Sequence, residues 1–539
     1  MTKCEILRSL LAVLSQGRCS MSFAQLKTAF KTTTFVKGAI ILSLGAVICK
    51  LIGAVYRIPL TNILGAEGMG LYQMVYPIFT LLLVVATSGV PNAISRLISE
   101  KTALGQKDYA CKIIRTSAWL MLFIGVLFSL VLFVFSDDLS VMQGNPMTSK
   151  AYKVISPSIV IVAMLSVFRG VFQGLGNMTP TAVSQIIEQL VKLVFGLLFA
   201  YLLLDKGSEF AVAGALLGIT LSELISLVYI GLNYARKKKS LFVNSIDPFT
   251  PKTSDVVREI LRLVCPMTLA SSFMPIILVV DSVLLVNLLQ ASGLSTAEAT
   301  ADYGLYSGVA STIINMPVVV ATAVATAIVP LICSLLAKKD FATANKKINS
   351  ALDSVLVISI PAFLGFLFFG GEIAKFLFPA VTNGDNENVV NTLMCMGSMN
   401  VLLISIVGLT SACLQCMNKL YAPALGMFIG CLAKIFISIV LVGYFGIVAG
   451  MIASLVCYLM VACVNLRFLG TEINISFANA PVYTLSSVVF VAVAYILRFF
   501  LSEMFGVFGT ILAIALAGGV YLLLIWFFML RTNKLFSQT

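Results

Sequence analysis

Histidine is absent from the 539 residues of the chain. Without imidazole the chain cannot form a His-based catalytic triad, a histidine proton relay or an imidazole metal site. It also lacks a Gly-x-x-x-x-Gly-Lys-Ser/Thr loop, so we expect no ATP hydrolysis. These absences predict a protein that is not an enzyme and that holds no metal and no other cofactor.

Charged residues are scarce as well. They make up 11% of the chain, against about 25% in soluble domains, while 59% of the residues are hydrophobic. Mean hydropathy is +1.03. We predict an all-α integral membrane protein. The 12 cysteines lie mostly in apolar runs, and we interpret them, including the pair Cys413-x-x-Cys416, as small buried hydrophobes.

Apolar runs separated by polar turns predict fourteen transmembrane helices. The predicted spans are 36–58, 69–90, 117–136, 152–172, 181–204, 210–232, 263–290, 303–336, 352–378, 392–416, 421–443, 445–466, 481–501 and 508–530.

Basic residues concentrate on one side of these spans. With a cytoplasmic N-terminus, the inside segments hold 27 of the 36 Lys and Arg residues, including Arg169, the outside loops hold three, and six lie within spans. The positive-inside rule therefore places both termini in the cytoplasm. This sidedness accounts for the net charge of +13, and we expect no nucleic-acid partner.

Short motifs recur in order along the chain. Gly70-Leu71-Tyr72 recurs as Gly304-Leu305-Tyr306, and Val90-Pro91 recurs as Val329-Pro330. Lys107-Asp108-Tyr109 is matched by Lys339-Asp340-Phe341, and Gln173 and Lys192 by Gln415 and Lys434, both at an offset of 242. We predict a duplication of two six-helix lobes in parallel pseudo-twofold repeat, plus a C-terminal helix pair.

This repeat predicts six divisions of the chain. They are a basic cytoplasmic segment (1–35, with Met21 as an alternative start), an N-lobe (36–232, spans 1–6), a basic cytoplasmic linker (233–262), a C-lobe (263–466, spans 7–12), spans 13 and 14 (481–530) and a cytoplasmic tail (531–539).

Several ionisable residues lie inside the predicted spans, where each costs about 2.5–3.5 kcal/mol if it faces lipid. We therefore expect them to face the bundle interior. Lys50, Arg57, Lys192 and Lys434 are predicted to attract a phosphate group of the substrate. Glu188, Glu223 and Asp281 are predicted either to couple transport to a cation or to pair the lobes.

Glu188 and Lys192 have the spacing and order of a favourable helical ion pair. Gln185 and Gln189 extend this pair into a polar stripe that is typical of a cavity wall. Under the offset of 242, Lys192 corresponds to Lys434 but Glu188 corresponds to Gly430. Glu188 is therefore a candidate for a feature added to the first lobe alone.

Three motifs together resemble one known family. They are Arg169-Gly-Val-Phe-Gln-Gly-Leu-Gly-Asn-Met-Thr-Pro180 followed by Ser184-Gln-Ile-Ile-Glu188-Gln189, Glu67-Gly68-x-Gly70-Leu-Tyr72, and Val90-Pro91-x-Ala-Ile-Ser-Arg96. The chain resembles the multidrug/oligosaccharidyl-lipid/polysaccharide exporter superfamily, in its stage V sporulation protein B and lipid II flippase-like branch. The resemblance implies two six-helix lobes around a central cavity and transfer of undecaprenyl-linked cell-wall or polysaccharide precursors to the outer leaflet.

One departure from that branch bears on the substrate. The best-studied lipid II flippases carry cavity arginines in spans 2 and 8, whereas spans 69–90 and 303–336 contain neither arginine nor lysine. Lys50 and Arg57 place basic residues in span 1 instead. This pattern favours the sporulation or polysaccharide side of the branch.

We therefore predict an alternating-access flippase of the bacterial cytoplasmic membrane. Its predicted partners are a lipid-linked saccharide, membrane lipids and a coupling monovalent cation, and it is predicted to act as a monomer. The alternative is an ion-coupled multidrug antiporter for organic cations with the same fold. A membrane glycosyltransferase would need a larger polar loop with catalytic carboxylates than any predicted outside loop.

Overall fold

The computed structural model describes residues 23–241, 251–384, 386–419 and 421–536. Met21, most of the predicted basic N-terminal segment, the middle of the linker and the end of the tail lie outside these ranges. Every regular element within them is helical. The protein is therefore all-α where it is described, as the apolar composition predicts.

Among the described residues, the first half of the chain contains eight α-helices and the second half nine, most of them built from long apolar runs. The first eight are α1 (Phe23–Thr87), α2 (Val90–Ala103), α3 (Lys107–Val134), α4 (Ser136–Met142), α5 (Ser149–Gly174), α6 (Thr179–Val191), α7 (Leu197–Leu203) and α8 (Ser208–Leu241), with a π turn at Lys192–Gly196 between α6 and α7.

The second half continues with nine α-helices. They are α9 (Thr253–Ala291), α10 (Thr296–Tyr303), α11 (Ser311–Ala337), α12 (Phe341–Leu377), α13 (Asn386–Gly397), α14 (Asn400–Cys416), α15 (Tyr421–Phe445), α16 (Val448–Leu469) and α17 (Ala480–Phe536), with a second π turn at Gly304–Ala310 between α10 and α11.

The two longest helices each contain a glycine that interrupts the helical path. Helix α1 has 65 residues, which would extend about 98 Å if straight, three times the hydrocarbon thickness of about 30 Å. It is kinked at Gly65, where φ is 70°, and α17 is kinked at Gly506, where φ is 57°. A positive φ suits glycine because it has no Cβ. Each glycine falls between two predicted spans.

Within the part of the chain that the structure describes, eleven helical stretches are long and apolar enough to cross a membrane, or 12 if α13 and α14, which meet at 41°, form one bent span. This count treats each kinked helix as a single stretch. The protein is thus a multi-pass membrane protein, and fourteen crossings stay a prediction.

The buried apolar side chains form separate clusters along the chain. One cluster runs from Tyr56 to Ile219, and another runs from Leu285 to Met451 and includes Met74 from the first half. Helix α17 packs on α12 through a third cluster that contains Phe490 and Tyr521. The two halves therefore have their own cores, and α1 contributes to both.

One pair of cysteines departs from the sequence interpretation. Cys333 of α11 and Cys416 of α14 form a disulfide, so reading all the cysteines as small buried hydrophobes was wrong for this pair. It was also wrong for Cys265, Cys395 and Cys463, which are free but exposed. Cys413 fits that reading, because it is free and fully buried.

The repeated Gly-Leu-Tyr motifs meet at the contact between the two halves. A Cβ on Gly70 would lie 2.0 Å from the backbone oxygen of Thr300, and a Cβ on Gly304 would lie 2.1 Å from that of Ala66. The amide of Gln73 donates a hydrogen bond of 2.8 Å to the backbone oxygen of Ser307. The backbones can approach this closely only because both motifs begin with glycine.

We predict that Gly70→Val forces this contact apart. The added side chain has no space beside the Thr300 carbonyl, and overpacking of this kind costs about 1–3 kcal/mol or more. The midpoint of thermal unfolding of the purified protein should fall. Gly231→Ala is the matched control, because a Cβ there meets nothing within 4 Å. Equal unfolding midpoints for the two variants would show that the glycine contact is dispensable.

Candidate functional site

A cavity of about 450 Å³ lies between the two segments of α1, the first π turn and α11. Its volume falls within the range of about 300–1,000 Å³ that is typical of small-molecule sites. Three of the four basic residues predicted to attract phosphate line it, together with Gln189 of the predicted polar stripe. The polar and charged lining residues are Lys50, Tyr56, Arg57, Tyr72, Tyr76, Gln189, Lys192, Thr312 and Asn315.

Helical spacing places the span-1 residues on one face of α1. Lys50 and Arg57 are seven residues, or about two turns, apart. Gly53 lies between them, and a Cβ there would lie 3.6 Å from the Gln189 side-chain oxygen. Gln189 therefore lies in van der Waals range of α1 between the two cations.

Lys192 is the first residue of the π turn and lies beside two tyrosine rings. Its Nζ is 5.0 Å from the ring centroid of Tyr56 and 5.6 Å from that of Tyr76. Cation–π attraction at these distances holds an ammonium group without neutralising it. Single π turns inside α-helices are frequent at functional sites.

Arg57 links the two halves across the cavity. Its guanidinium donates a hydrogen bond of 3.2 Å to the Thr312 hydroxyl. Thr312 belongs to α11, so the contact joins the first helix of the chain to the second half. One donor of the guanidinium is used in this contact, and several remain for another acceptor.

The ion pair predicted between Glu188 and Lys192 is wrong. Glu188 instead pairs with Arg169 of α5, at 2.8 Å, and the Arg169 Nε donates to Ser184 at 3.1 Å. The side chains of Arg169 and Glu188 are 14% and 22% exposed. The turn between α5 and α6 brings the two residues together, and helical spacing alone cannot reveal such a contact. Because Arg169 was counted among the cytoplasmic residues, it was not considered as a partner of Glu188.

The new pairing leaves the cavity cations without neutralising partners. Among the described residues, no carboxylate lies within 4.0 Å of the charged groups of Lys50, Arg57 or Lys192. The wall of this cavity therefore carries net positive charge.

A second cavity of about 190 Å³ adjoins the first, because Arg57, Tyr76 and Asn315 line both. It also contains Lys434 and Asp281, whose Nζ and carboxylate oxygen are 2.6 Å apart. The two residues are almost fully buried. This pair is electrically neutral, in contrast to the three cations of the first cavity.

Two hydroxyl groups complete the environment of Asp281. The Tyr306 hydroxyl donates to the carboxylate at 3.1 Å and shares a hydrogen bond of 2.9 Å with Ser454. Desolvation makes a buried pair costly unless its remaining lone pairs are satisfied, and these contacts meet that need. Lys434, which was predicted to attract substrate, is paired with Asp281 instead.

The remaining predicted residues lie outside both cavities. Glu223 is buried and accepts a hydrogen bond from the Ser158 hydroxyl, and Gln185 has a buried side-chain oxygen without a hydrogen-bond partner in the described part of the chain. Glu188, Glu223 and Asp281 each bind a residue of their own predicted lobe, and a role in pairing the lobes stays a prediction. Their role in ion coupling stays a prediction.

Sequence reasoning missed the tyrosines of the site. The first cavity is lined by Tyr56, Tyr72 and Tyr76, and the second by Tyr76, Tyr303, Tyr306 and Tyr458. Tyr72 and Tyr306 were visible as the third residues of the repeated Gly-Leu-Tyr motifs. The repeated motif was therefore the sequence signal that could have identified these two tyrosines. Their side chains are uncharged, so a search for buried charges did not select them.

A bundle of apolar helices around a charged internal cavity is the architecture of a membrane transporter. The model of a family described as "polysaccharide biosynthesis protein" matches residues 35–336, which is more than half of the chain. The chain belongs to this family.

Curated relatives from Bacillus subtilis (strain 168) agree with this assignment. The chain is 24% identical to the lipid II flippase MurJ over 522 residues, which cover 91% of this chain and 95% of the relative. It is 26% identical to stage V sporulation protein B over 406 residues, covering 74% and 76%.

Solved structures share the fold. A lipid II flippase MurJ in an inward closed conformation superposes with a TM-score of 0.69 at 14% identity, covering 92% of this chain and 100% of the other. An inward-facing multidrug resistance MATE family transporter of the MOP superfamily gives 0.65 at 17% identity, covering 80% and 97%. The chain therefore has the fold of this superfamily, in agreement with the resemblance found in the sequence.

We predict that Asp281→Asn strongly destabilises the protein. It leaves the Lys434 ammonium buried without a counter-charge, and breaking a buried pair in this way costs about 3–5 kcal/mol. The unfolding midpoint in detergent should fall clearly, and adding Lys434→Met should recover part of the loss. Glu387→Gln, which removes the half-exposed partner of Lys375, should have a much smaller effect. Similar shifts for Asp281→Asn and Glu387→Gln would contradict the structural role of the buried pair.

Proposed function

We propose that this protein is a flippase that translocates an undecaprenyl-linked, diphosphate-bearing cell-wall or polysaccharide precursor across the cytoplasmic membrane. The observation that carries the proposal is the unneutralised set of Lys50, Arg57 and Lys192 around one internal cavity. Arginine and lysine are the side chains that recognise phosphate oxygens. The flippase function of MurJ, a relative by its sequence, supports the same substrate class.

The proposed mechanism is alternating access of two lobes, 36–232 and 263–466, in parallel pseudo-twofold repeat, with spans 13 and 14 completing fourteen crossings. The reciprocal contacts of Gly70 and Gly304 support this symmetry. The headgroup enters the cationic cavity while most of the lipid tail stays in the bilayer.

The cavity faces the cytoplasm in this proposal, because the helix ends predicted to lie outside are held together. Asn62 donates to the backbone oxygen of Leu377 at 2.9 Å and accepts from the Ala380 amide at 3.2 Å. Asn145 donates to the Thr300 hydroxyl at 2.9 Å. Opening to the outside would break these contacts between the lobes.

Charge also separates this proposal from organic-cation transport by the same fold. Two like charges 4 Å apart repel by about 4 kcal/mol at the effective dielectric constant of about 20 near a protein surface. A cationic drug beside Lys50, Arg57 and Lys192 would meet this repulsion, whereas a diphosphate would gain from the same field. We therefore favour the anionic lipid as substrate.

We predict that Lys192→Ala and Arg57→Ala lower transport at normal membrane abundance. Each removes a charge-assisted contact of about 1.5–3 kcal/mol, which corresponds to about tenfold to a hundredfold in affinity. The measurements are growth of a strain depleted of its lipid II flippase and flipping of a labelled lipid-linked saccharide in proteoliposomes.

Two control variants accompany this test. Arg57→Lys keeps the charge and should retain more activity than Arg57→Ala, and Lys153→Ala removes a half-exposed cation whose partner is Asp137. Flipping by both alanine cavity variants at the wild-type rate would exclude headgroup binding in this cavity. Ion-driven efflux of a cationic dye would favour the antiporter instead.

A further inference from the structure

A large cavity, of about 880 Å³, lies between the first turns of α3 and the first turns of α9. We call it the α3–α9 cleft. It shares no lining residue with either of the two charged cavities, so it is separate from the proposed substrate site. The residues that line it include Lys112, Arg115, Trp119 and Phe123 of α3 and Thr253 and Val257 of α9.

Two kinds of contact hold the start of α9 against α3 beside this cleft. Ile113 of α3 is buried in one apolar cluster with Val256 and Ile260 of α9. The Tyr109 hydroxyl also donates a hydrogen bond of 2.8 Å to the carboxylate of Glu259. Glu259 does not line the cleft. The packing of the two helices therefore fixes the cleft without placing this acid in its wall.

The cleft residues of α3 form one stripe along the helix. Lys112, Arg115, Trp119 and Phe123 are spaced by three, four and four residues, which keeps them on one helical face. The stripe is about 17 Å long. Arg115 precedes the predicted span 117–136, whereas Trp119 and Phe123 lie inside it. The stripe thus passes from two cations to two aromatic rings at the predicted membrane surface.

The aromatic end of the stripe is open to the surroundings of the protein. Trp119 and Phe123 are 65% and 68% exposed. Helix α3 is long and apolar enough to cross a membrane, and only 22% of its most apolar stretch is buried in the protein. Tryptophan is enriched where membrane helices enter the headgroup region. Lipid is therefore the surrounding medium that meets this part of the cleft.

The basic end of the stripe has no counter-charge. In the described ranges, no carboxylate oxygen lies within 4.0 Å of Lys112 Nζ or of the Arg115 guanidinium. Lys112 donates one hydrogen bond to the backbone oxygen of Pro251, which leaves two of its three donors. Arg115 is exposed, and its planar guanidinium suits two oxygens of one phosphate. The cleft therefore offers two cations to an anion.

We propose that the α3–α9 cleft binds an anionic phospholipid of the leaflet on the predicted cytoplasmic side. The headgroup phosphate contacts Lys112 and Arg115, and the upper part of an acyl chain lies against Trp119 and Phe123. Basic pockets between membrane helices on this side bind anionic headgroups. A soluble anion gains only from the two cations, whereas a phospholipid gains from the rings as well. Because both halves of the chain line the cleft, the bound lipid spans their junction.

Tryptophan fluorescence tests this proposal, because the chain contains two tryptophans. Trp526→Phe leaves Trp119 as the only indole of the full-length protein, which is reconstituted in phosphatidylcholine vesicles. Either phosphatidylglycerol or phosphatidylcholine is added with bromine on the acyl carbons near the glycerol. Bromine quenches indole fluorescence at short range. The ratio of quenching by the two lipids therefore gives their relative affinity beside Trp119.

Brominated phosphatidylglycerol should be preferred at least fivefold, since one Lys or Arg near the membrane surface contributes about fivefold. All further substitutions are made in the Trp526→Phe background. Arg115→Ala should reduce the preference to less than half, and Lys112→Ala combined with Arg115→Ala should abolish it. Arg115→Lys should keep most of it. Lys346→Ala is the matched control, because it removes an exposed cation of α12 outside the cleft, and it should leave the preference unchanged.

Three results would overturn the proposal. Equal quenching by the two brominated lipids would show that ordinary bilayer lipid surrounds Trp119. A preference that survives the double substitution would arise from other cations. Loss of the preference in millimolar inorganic phosphate, at constant ionic strength, would assign the cleft to a soluble anion. Arg115→Ala alone keeps the test valid if Lys112→Ala disturbs the Pro251 contact, because the Arg115 side chain has no partner in the described part of the chain.

Discussion

The close approach of two glycines is the constraint on which the site depends. Gly70 and Gly304 each lie where a Cβ would collide with backbone of the other half. Each begins a Gly-Leu-Tyr motif, so the contact also fixes the positions of Tyr72 and Tyr306. Tyr72 lines the cationic cavity, and Tyr306 donates to Asp281 in the neutral one. The junction of the halves and the walls of both cavities therefore follow from one backbone contact.

Near this junction, the two lysines related by the sequence offset of 242, Lys192 and Lys434, have different partners. Lys434 is neutralised by Asp281 at 2.6 Å, whereas Lys192 lies against the rings of Tyr56 and Tyr76. The two charges of a buried ion pair satisfy each other, so the pair offers little attraction to a charged ligand. A cation held by aromatic rings keeps its charge and can bind an anion. In our proposal, the lysine of the predicted repeat serves packing in the second half and substrate binding in the first.

Much of the fold and part of the site could be predicted from the sequence. Hydropathy predicted the helical class, the three motifs beginning at Glu67, Val90 and Arg169 indicated the superfamily, and the cost of buried charge indicated Lys50, Arg57, Lys192 and Lys434. The partners of these residues could not be predicted, because helical spacing describes contacts within one helix only. Helical spacing therefore predicted a pair of Glu188 and Lys192, but the turn between α5 and α6 brings Arg169 into contact with Glu188.

The divergence of the two halves gives the strongest argument about the kind of substrate. A duplicated scaffold with two similar charged walls would suit a small ion. Here Arg169 and Glu188 in the first half correspond to Ser411 and Gly430 in the second, where an apolar groove opens. Charged ligands gain nothing from that groove, and purely apolar ones gain nothing from Lys192. The lipid-linked diphosphate of our proposal differs from both, because it joins an anionic head to a hydrocarbon chain.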